Sequence, residues 1–174
     1  MTTVTNRFSD RVDNYVKCRP HYPAEVVDFL KTEKVLSEDS VIADIGSGTG
    51  ISAELFLKNN YKVIGVEPNE PMRHAAEAIL QNYSDKNLFV SVDGKAEDTG
   101  LEDHSVDVIV CAQAFHWFNN DWFKRECKRI LKPNGTVVLM WNDRRTDSTD
   151  FLKVYEDFLQ MFGTDYLSVN HKNT

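Results

Sequence analysis

Short apolar runs alternate with stretches of helical period along this chain, and that alternation constrains its fold more than any other feature. Val41–Ile45, Lys62–Val66, Leu88–Val92 and Val106–Cys111 read as strands, the last nearly all apolar and therefore central. Ser52–Lys58 reads as a helix after the first strand. After the second, Asn69 offers an N-cap and Pro71 fits the first turn of a helix whose apolar face is Met72, Ala75, Ala76, Ile79, Leu80 and Tyr83. Another helix starts at about Asp121, with Trp122, Phe123, Cys127, Ile130 and Leu131 on one face. Lys132-Pro133-Asn134-Gly135 ends it and turns the chain into a fifth strand, Thr136–Trp141. Phe151, Leu152, Tyr155, Phe158, Leu159 and Phe162 then step at three and four residues, the clearest helical period in the chain. Ahead of the first strand, Phe8–Lys34 is helical in pattern but broken by the prolines of Arg19-Pro20-His21-Tyr22-Pro23. Strands alternating with helices build βαβ units with right-handed crossovers. The expectation is an α/β fold, a three-layer α/β/α sandwich around a mostly parallel sheet, with an N-terminal helical extension.

Composition removes several classes of function. The 174 residues hold 20 Lys+Arg against 27 Asp+Glu, a net charge of −7, which disfavours a clamp for nucleic-acid phosphates. The longest apolar runs, Val108–Ala112 and Val137–Trp141, fall far short of the roughly 20 residues that span a bilayer. With no secretory pattern at the N-terminus, a cytoplasmic location is expected. Cys18, Cys111 and Cys127 form no C-x-x-C pair and no histidine lies in an H-E-x-x-H pattern, so neither a disulfide framework nor a metal site is expected.

The sharpest motif is Ala43-Asp44-Ile45-Gly46-Ser47-Gly48-Thr49-Gly50, closing the first strand and opening a helix. Glycines there permit a tight turn and close approach of a ligand to the backbone. A dinucleotide fingerprint runs G-x-G-x-x-G and seats a pyrophosphate on the helix. Here the spacing is G-x-G-x-G, and Ile51 stands where the third glycine of that fingerprint belongs. Asp44, just before the loop, would repel a diphosphate but suit an ammonium or sulfonium group. Glu67, at the end of the second strand, is placed to accept from a ribose diol, a feature both cofactor classes share.

These residues resemble class I S-adenosylmethionine-dependent methyltransferases. Asp44–Gly50 matches the first motif, Val66-Glu67-Pro68-Asn69 the second, Gly94-Lys95-Ala96-Glu97 the adenine-edge motif, and Arg129–Gly135 the segment before strand five. Tyr15–Pro23 and Gln113-Ala114-Phe115-His116-Trp117-Phe118 are similar to the small-molecule branch around trans-aconitate methyltransferase. Lys95 departs from that pattern, where many relatives carry Asp, so the adenine contact rests on Glu97 or on backbone. The resemblance implies a Rossmann-like fold with strand order 3-2-1-4-5 and S-adenosyl-L-methionine as cofactor. Its cofactor residues would be Asp44, Gly46, Ser47, Gly48, Gly50, Glu67, Pro68, Met72, Ala96, Glu97 and Gln113. Met72 either covers the adenine or belongs to the core. Residues 1–36 would be the helical extension and lid, with Tyr15 and Arg19 closing on the cofactor. Residues 37–147 would be the cofactor-binding core and 148–174 a C-terminal helix and tail of the same single domain.

The implied reaction is in-line methyl transfer to a small-molecule acceptor, with neither nucleic acid nor membrane as partner. A carboxylate acceptor needs no base; an alcohol or amine would use His116. His116, Trp117 and Arg144 are the candidates for acceptor contacts, although His116-Trp117-Phe118 also reads as a packing cluster. A non-catalytic binder of the adenosyl cofactor and a nicotinamide-dependent oxidoreductase are the competing readings, the second disfavoured by Ile51 and Asp44. The family's last strands have no counterpart before Thr174. That would leave Thr136–Trp141 as an open apolar edge, and the expectation is a piece of a longer chain or strands supplied from elsewhere.

Overall fold

In the computed structural model, which describes residues 19–164 and 166, the expected alternation is realised as five strands and six helices. The strands are β1 (Val41–Ile45), β2 (Lys62–Val66), β3 (Phe89–Val92), β4 (Val106–Ala112) and β5 (Leu131–Met140). The helices are α1 (Glu25–Thr32), α2 (Ile51–Leu57), α3 (Glu70–Ile79), α4 (Gln81–Ser84), α5 (Asn120–Ile130) and α6 (Asp150–Phe162). All pairings are parallel and the order is β3-β2-β1-β4-β5. This is the Rossmann-like arrangement. The half of the N-terminal extension before Arg19 lies outside the described residues.

Side-chain alternation along each strand divides the core in two. Ile42, Val63, Val108 and Val110 face α1, α2 and α3, where Val27, Leu30, Phe56 and Ala76 meet them. Ala43, Ile45, Ile109 and Cys111 face the other way, against Phe123, Cys127 and Ile130 of α5. Val106 joins this second cluster although its parity matches Val108. The pairing shifts between them, from Val106↔Leu131 to Val108↔Thr136, so β5 feeds three extra residues into that interval.

That shift corrects the expected end of α5. The helix stops at Ile130, and Leu131 is the first residue of β5 instead of the last on the helix face. Lys132–Gly135 are absorbed as a bulge inside the strand, with Asn134 at φ +68°, and Trp141 lies just beyond it. Pro133 drives Lys132 out of the helical region, and the helix stops one residue sooner because Leu131, extended at ψ 134°, pairs with Val106. Trp122 is also corrected: it is 56% exposed, with the Arg125 guanidinium over its ring, and does not belong to the buried face. The helix after β2 breaks at Leu80, leaving Ile79 exposed and Tyr83 in the separate turn α4.

Among the described residues β5 pairs only with β4 and forms the sheet edge. The predicted last helix forms, yet none of its residues is buried among the described residues, and Phe151, Val154, Phe158, Met161 and Phe162 are exposed. Periodicity specified a face for this helix but not a partner.

The loop after β3 is fastened to α5 by a buried polar network. Glu126 Oε1 accepts from Thr99 N (2.8 Å) and Thr99 Oγ1 (2.5 Å), while Arg129 grips both carboxylate oxygens and the Leu101 carbonyl. Burial opposes the charge on Glu126, yet the Arg129 and Thr99 donors bring its pKa down to about 2. Glu126→Ala strands the fully buried Thr99 donors and is expected to cost about 3 kcal/mol in denaturant unfolding, with the midpoint lowered.

Candidate cofactor site at the carboxyl rim of the sheet

The chain leaves β1 for β2 on one side and returns through β4 on the other, so β1 and β4 flank the point where strand order reverses. Open α/β sheets place ligands outside the carboxyl ends of the strands at that point. The glycine loop stands there. Gly46 N and Ser47 N both donate to the Val66 carbonyl (2.9 and 3.2 Å), turning the chain off the sheet over the end of β2. Gly46 has φ +71°, and a Cβ on it would stand 2.7 Å from Ala114 Cβ, so both conformation and contact require glycine. Gly50, at φ +85°, is the N-cap of α2 and presses on Leu80 and Ala76. Its place is at the junction of α2 with α3.

Two carboxylates occupy this end of the sheet. Asp44 is completely buried; its Oδ2 accepts from Ser52 Oγ at 2.7 Å, and among the described residues its Oδ1 has no hydrogen-bond partner. Burial, reinforced by the nearby Glu67 charge and opposed by Ser52, pushes its pKa up to about 7. Glu67 accepts from Gly48 N with Oε2 (2.9 Å) and from Asn69 N with Oε1 (2.8 Å). Burial raises its pKa in spite of those two bonds and the Arg73 guanidinium.

The remaining candidates arrive on separate loops. Met72, buried in the first turn of α3, lies against the glycine loop, its Sδ 3.8 Å from where a Gly48 Cβ would be. Pro68 sits between Glu67 and the N-cap Asn69, which accepts from Met72 N at 3.0 Å. Ala96 is buried in the loop after β3, and Glu97 Oε1 accepts from Asn119 N at 2.7 Å. Gln113 ends β4 with φ +59°, its amide donating to the Asn142 carbonyl at 3.1 Å. His116 and Trp117 form a 3-10 turn (Phe115–Trp117), half-buried, their rings 4.7 Å apart.

A cavity lies between Ser47, Gly48, Thr49 and Ser52 on one side and Ala112, Gln113 and Asn142 on the other, with Arg19 and Tyr22 on its wall. Of the expected site residues, Arg19, Gly46, Ser47, Gly48 and Gln113 line it; Asp44, Glu67, Met72, the Ala96–Glu97 pair, the His116–Trp117 pair and Arg144 do not. Arg144 is held by Glu156 and by Tyr166 Oη (3.1 Å) beside the Tyr155 ring, with its Nη1 buried and without a partner among the described residues. Tyr15 lies outside the described residues. Thr49, Ser52 and Asn142 are the site residues that motif reading missed. Asn142 follows β5 at its carboxyl end, so the strand-end rule that found Gln113 also locates it.

Burial pushes the Cys111 thiol up and that of Cys127 up to about 12, so neither supplies a thiolate. Among the described residues no group of His, Cys, Asp and Glu could hold a metal ion, and no helix is long and apolar enough to cross a membrane.

A parallel sheet of this order, with a glycine loop and two buried acids at its switch point, defines the class I methyltransferase fold. The family profile described as methyltransferase domain matches residues 43–139, and the chain belongs to that family. An uncharacterized methyltransferase-like protein of Schizosaccharomyces pombe is 36% identical over 141 residues, 79% of this chain and 52% of the relative. An uncharacterized methyltransferase of Mycobacterium tuberculosis is 32% identical over 137 residues, again 79% of this chain and 52% of the relative. The chain therefore spans about half the length of the curated relatives it matches. Among solved structures, the YcgJ protein of Bacillus subtilis is similar at 26% identity and TM-score 0.59, over 78% of this chain and 57% of that one. The [4+2]-cyclase SpnF shares the fold at TM-score 0.66 and 18% identity, over 78% of this chain and 58% of that one.

Asp44 makes stability pH-dependent in an unusual direction. The folded chain keeps its proton to about pH 7, whereas an unfolded aspartate loses it near pH 4. Between those values the folded state binds more protons, so stability falls as pH rises and levels off above 7. Asp44→Asn is expected to be more stable than the wild type at pH 8, by at most about 4 kcal/mol for three pH units. That advantage shrinks towards pH 4, as thermal unfolding across pH will show.

Proposed function

We propose that this rim binds S-adenosyl-L-methionine and directs methyl transfer to a small-molecule acceptor. The observation that carries the reading is Asp44: a buried carboxylate beside the glycine loop whose Oδ1 has no partner among the described residues. A buried acid of that kind calls for a cationic ligand group. When bound, the cofactor supplies a methyl group on a positively charged sulfur with a neutral thioether as leaving group.

The chain's own residues then bind, orient and exclude water. Asp44 faces the ammonium end, and Gly46, Ser47, Gly48 and Gly50 let the backbone approach. Glu67 keeps lone pairs for the ribose hydroxyls beyond the two backbone bonds it accepts. Pro68 and Met72 border the adenine, and Ala96 and Glu97 meet its edge. Arg19, with Tyr15 beyond the described residues, closes the open side on the carboxylate of the cofactor. Gln113, His116 and Trp117 face the acceptor. Alignment of acceptor and methyl, with exclusion of water, is the main catalytic demand, and no protein nucleophile is needed. His116 is the base if the acceptor is an alcohol or amine. An ionised carboxylate needs none, and Arg144 Nη1 is then its candidate partner. The motifs around Tyr15–Pro23 and Gln113–Phe118 favour the trans-aconitate type of acceptor. The net charge of −7 disfavours nucleic acid as the acceptor.

Calorimetric titration tests this directly. Micromolar binding of S-adenosyl-L-methionine and S-adenosyl-L-homocysteine is expected, with Asp44→Ala and Glu67→Ala each weakening it at least about tenfold while the fold persists. Affinity for the ammonium-bearing ligand should rise up to tenfold per pH unit below about pH 7 and flatten above, as Asp44 ionises. NADH binding without adenosyl binding would overturn the reading. Adenosyl binding with no labelled methyl passed to any metabolite pool would identify a binding module instead.

A further inference from the structure

We infer that Glu97 is a positioning residue that locks the acceptor-side segment Gln113–Asn119 to the loop Gly94–Thr99, so that filling the cofactor site orders the Phe115–Trp117 turn. The inference rests on the methyl-transfer reading and deepens it.

The loop Gly94–Thr99 is a firm platform. Glu126 holds Thr99 through both its N–H and its hydroxyl, and Lys95 and Asp98 exchange main-chain bonds at 2.9 and 3.1 Å. Gly94 packs so closely that a Cβ on it would stand 2.6 Å from the Thr99 carbonyl oxygen. From this platform the Glu97 carboxylate reaches across 22 residues of sequence to accept the Asn119 N–H at 2.7 Å. Asn119 is the N-cap of α5, its side chain accepting from Trp122 N at 3.3 Å. The Glu97 bond therefore fixes the point at which the rim segment ends and the helix begins.

The glycine loop packs against the segment on both sides of the turn. A Cβ on Gly46 would meet Ala114 Cβ at 2.7 Å and Phe118 Cζ at 3.4 Å, so these two side chains close directly on that glycine. His116 and Trp117 lie in a turn flanked by these two loops; Phe115 of that turn also packs on Phe123 and Trp141, and its neighbour Phe118 packs on Phe123. A ligand that touches both loops sets their separation and with it the turn that faces the acceptor. Glu126 still ties Thr99 to α5 when the Asn119 N–H is removed, so that change cuts the Glu97 link alone.

The backbone permits that cut. Asn119 has φ −79°, within the range of proline, and Phe118 before it is extended at φ −89°, ψ 152°. Asn119→Pro deletes the donor, whereas Asn119→Ala loses the cap side chain but keeps the N–H. Amide hydrogen exchange over Phe115–Phe118 is measured on the full chain with and without saturating S-adenosyl-L-homocysteine. In the wild type and in Asn119→Ala, ligand is expected to slow exchange at least about tenfold. Asn119→Pro and Glu97→Ala lose most of that protection, and Glu97→Gln, whose amide oxygen still accepts, recovers it. Ligand affinity of Asn119→Pro stays within about threefold of Asn119→Ala. Equal protection in the two Asn119 variants would overturn the coupling while leaving the cofactor reading intact. A wild type that binds no S-adenosyl-L-homocysteine contradicts the cofactor reading, and the coupling falls with it.

Discussion

Glu67 accepts backbone N–H groups from two different loops at once, and the geometry of the rim depends on that carboxylate. One oxygen holds Gly48 in the glycine loop; the other holds Asn69, which caps α3 in turn by accepting from Met72 N. One side chain at the end of β2 thereby sets the distance between the loop leaving β1 and the helix leaving β2. Arg73, from the same helix, closes the arrangement by donating to the Glu67 carbonyl at 2.9 Å. A buried carboxylate that accepts two main-chain donors is a directional clamp as well as a charge.

Asp44 lies in the same rim with the opposite balance. One of its oxygens accepts from the Ser52 hydroxyl, the other has no hydrogen-bond partner among the described residues, and a neighbouring carboxylate raises its pKa further. Such an arrangement lowers stability at neutral pH and is retained where a bound cation compensates it. Stability sacrificed at a binding site is a familiar pattern in proteins. The [4+2]-cyclase SpnF shares the fold, and a fold of this kind does not by itself fix the reaction.

Most of the sheet was legible because buried parallel strands carry their own signal: Val106–Cys111 is apolar on both faces and lies inside the sheet between β1 and β5. The glycine loop was legible for a similar reason, since its spacing reflects local backbone conformation. Where the reading failed, a long-range term had decided. Leu131 fits the apolar period of α5 but pairs with Val106 twenty-five positions earlier, and that pairing makes it the first residue of the strand. Trp122 fits the same period, yet its ring lies outside under Arg125. Period alone does not distinguish the middle of a buried stripe from its margin. In the site, the Gln113–Asn142 and Glu97–Asn119 bonds were invisible because each joins segments far apart in sequence. No local pattern records that kind of contact.

The central claim is that the carboxyl rim of the sheet, with Asp44 buried near the end of β1 and Glu67 just after β2, is where the adenosyl cofactor sits. Backbone amide chemical shifts of the isotopically labelled chain, followed by NMR during titration with S-adenosyl-L-homocysteine, test it most directly. The account predicts the largest changes at Gly46, Gly48, Asn69 and Ala96, on three different loops, with Val41 and Ser105 at the opposite edge unmoved. Shifts confined to that opposite edge or to the exposed face of α6 would contradict it.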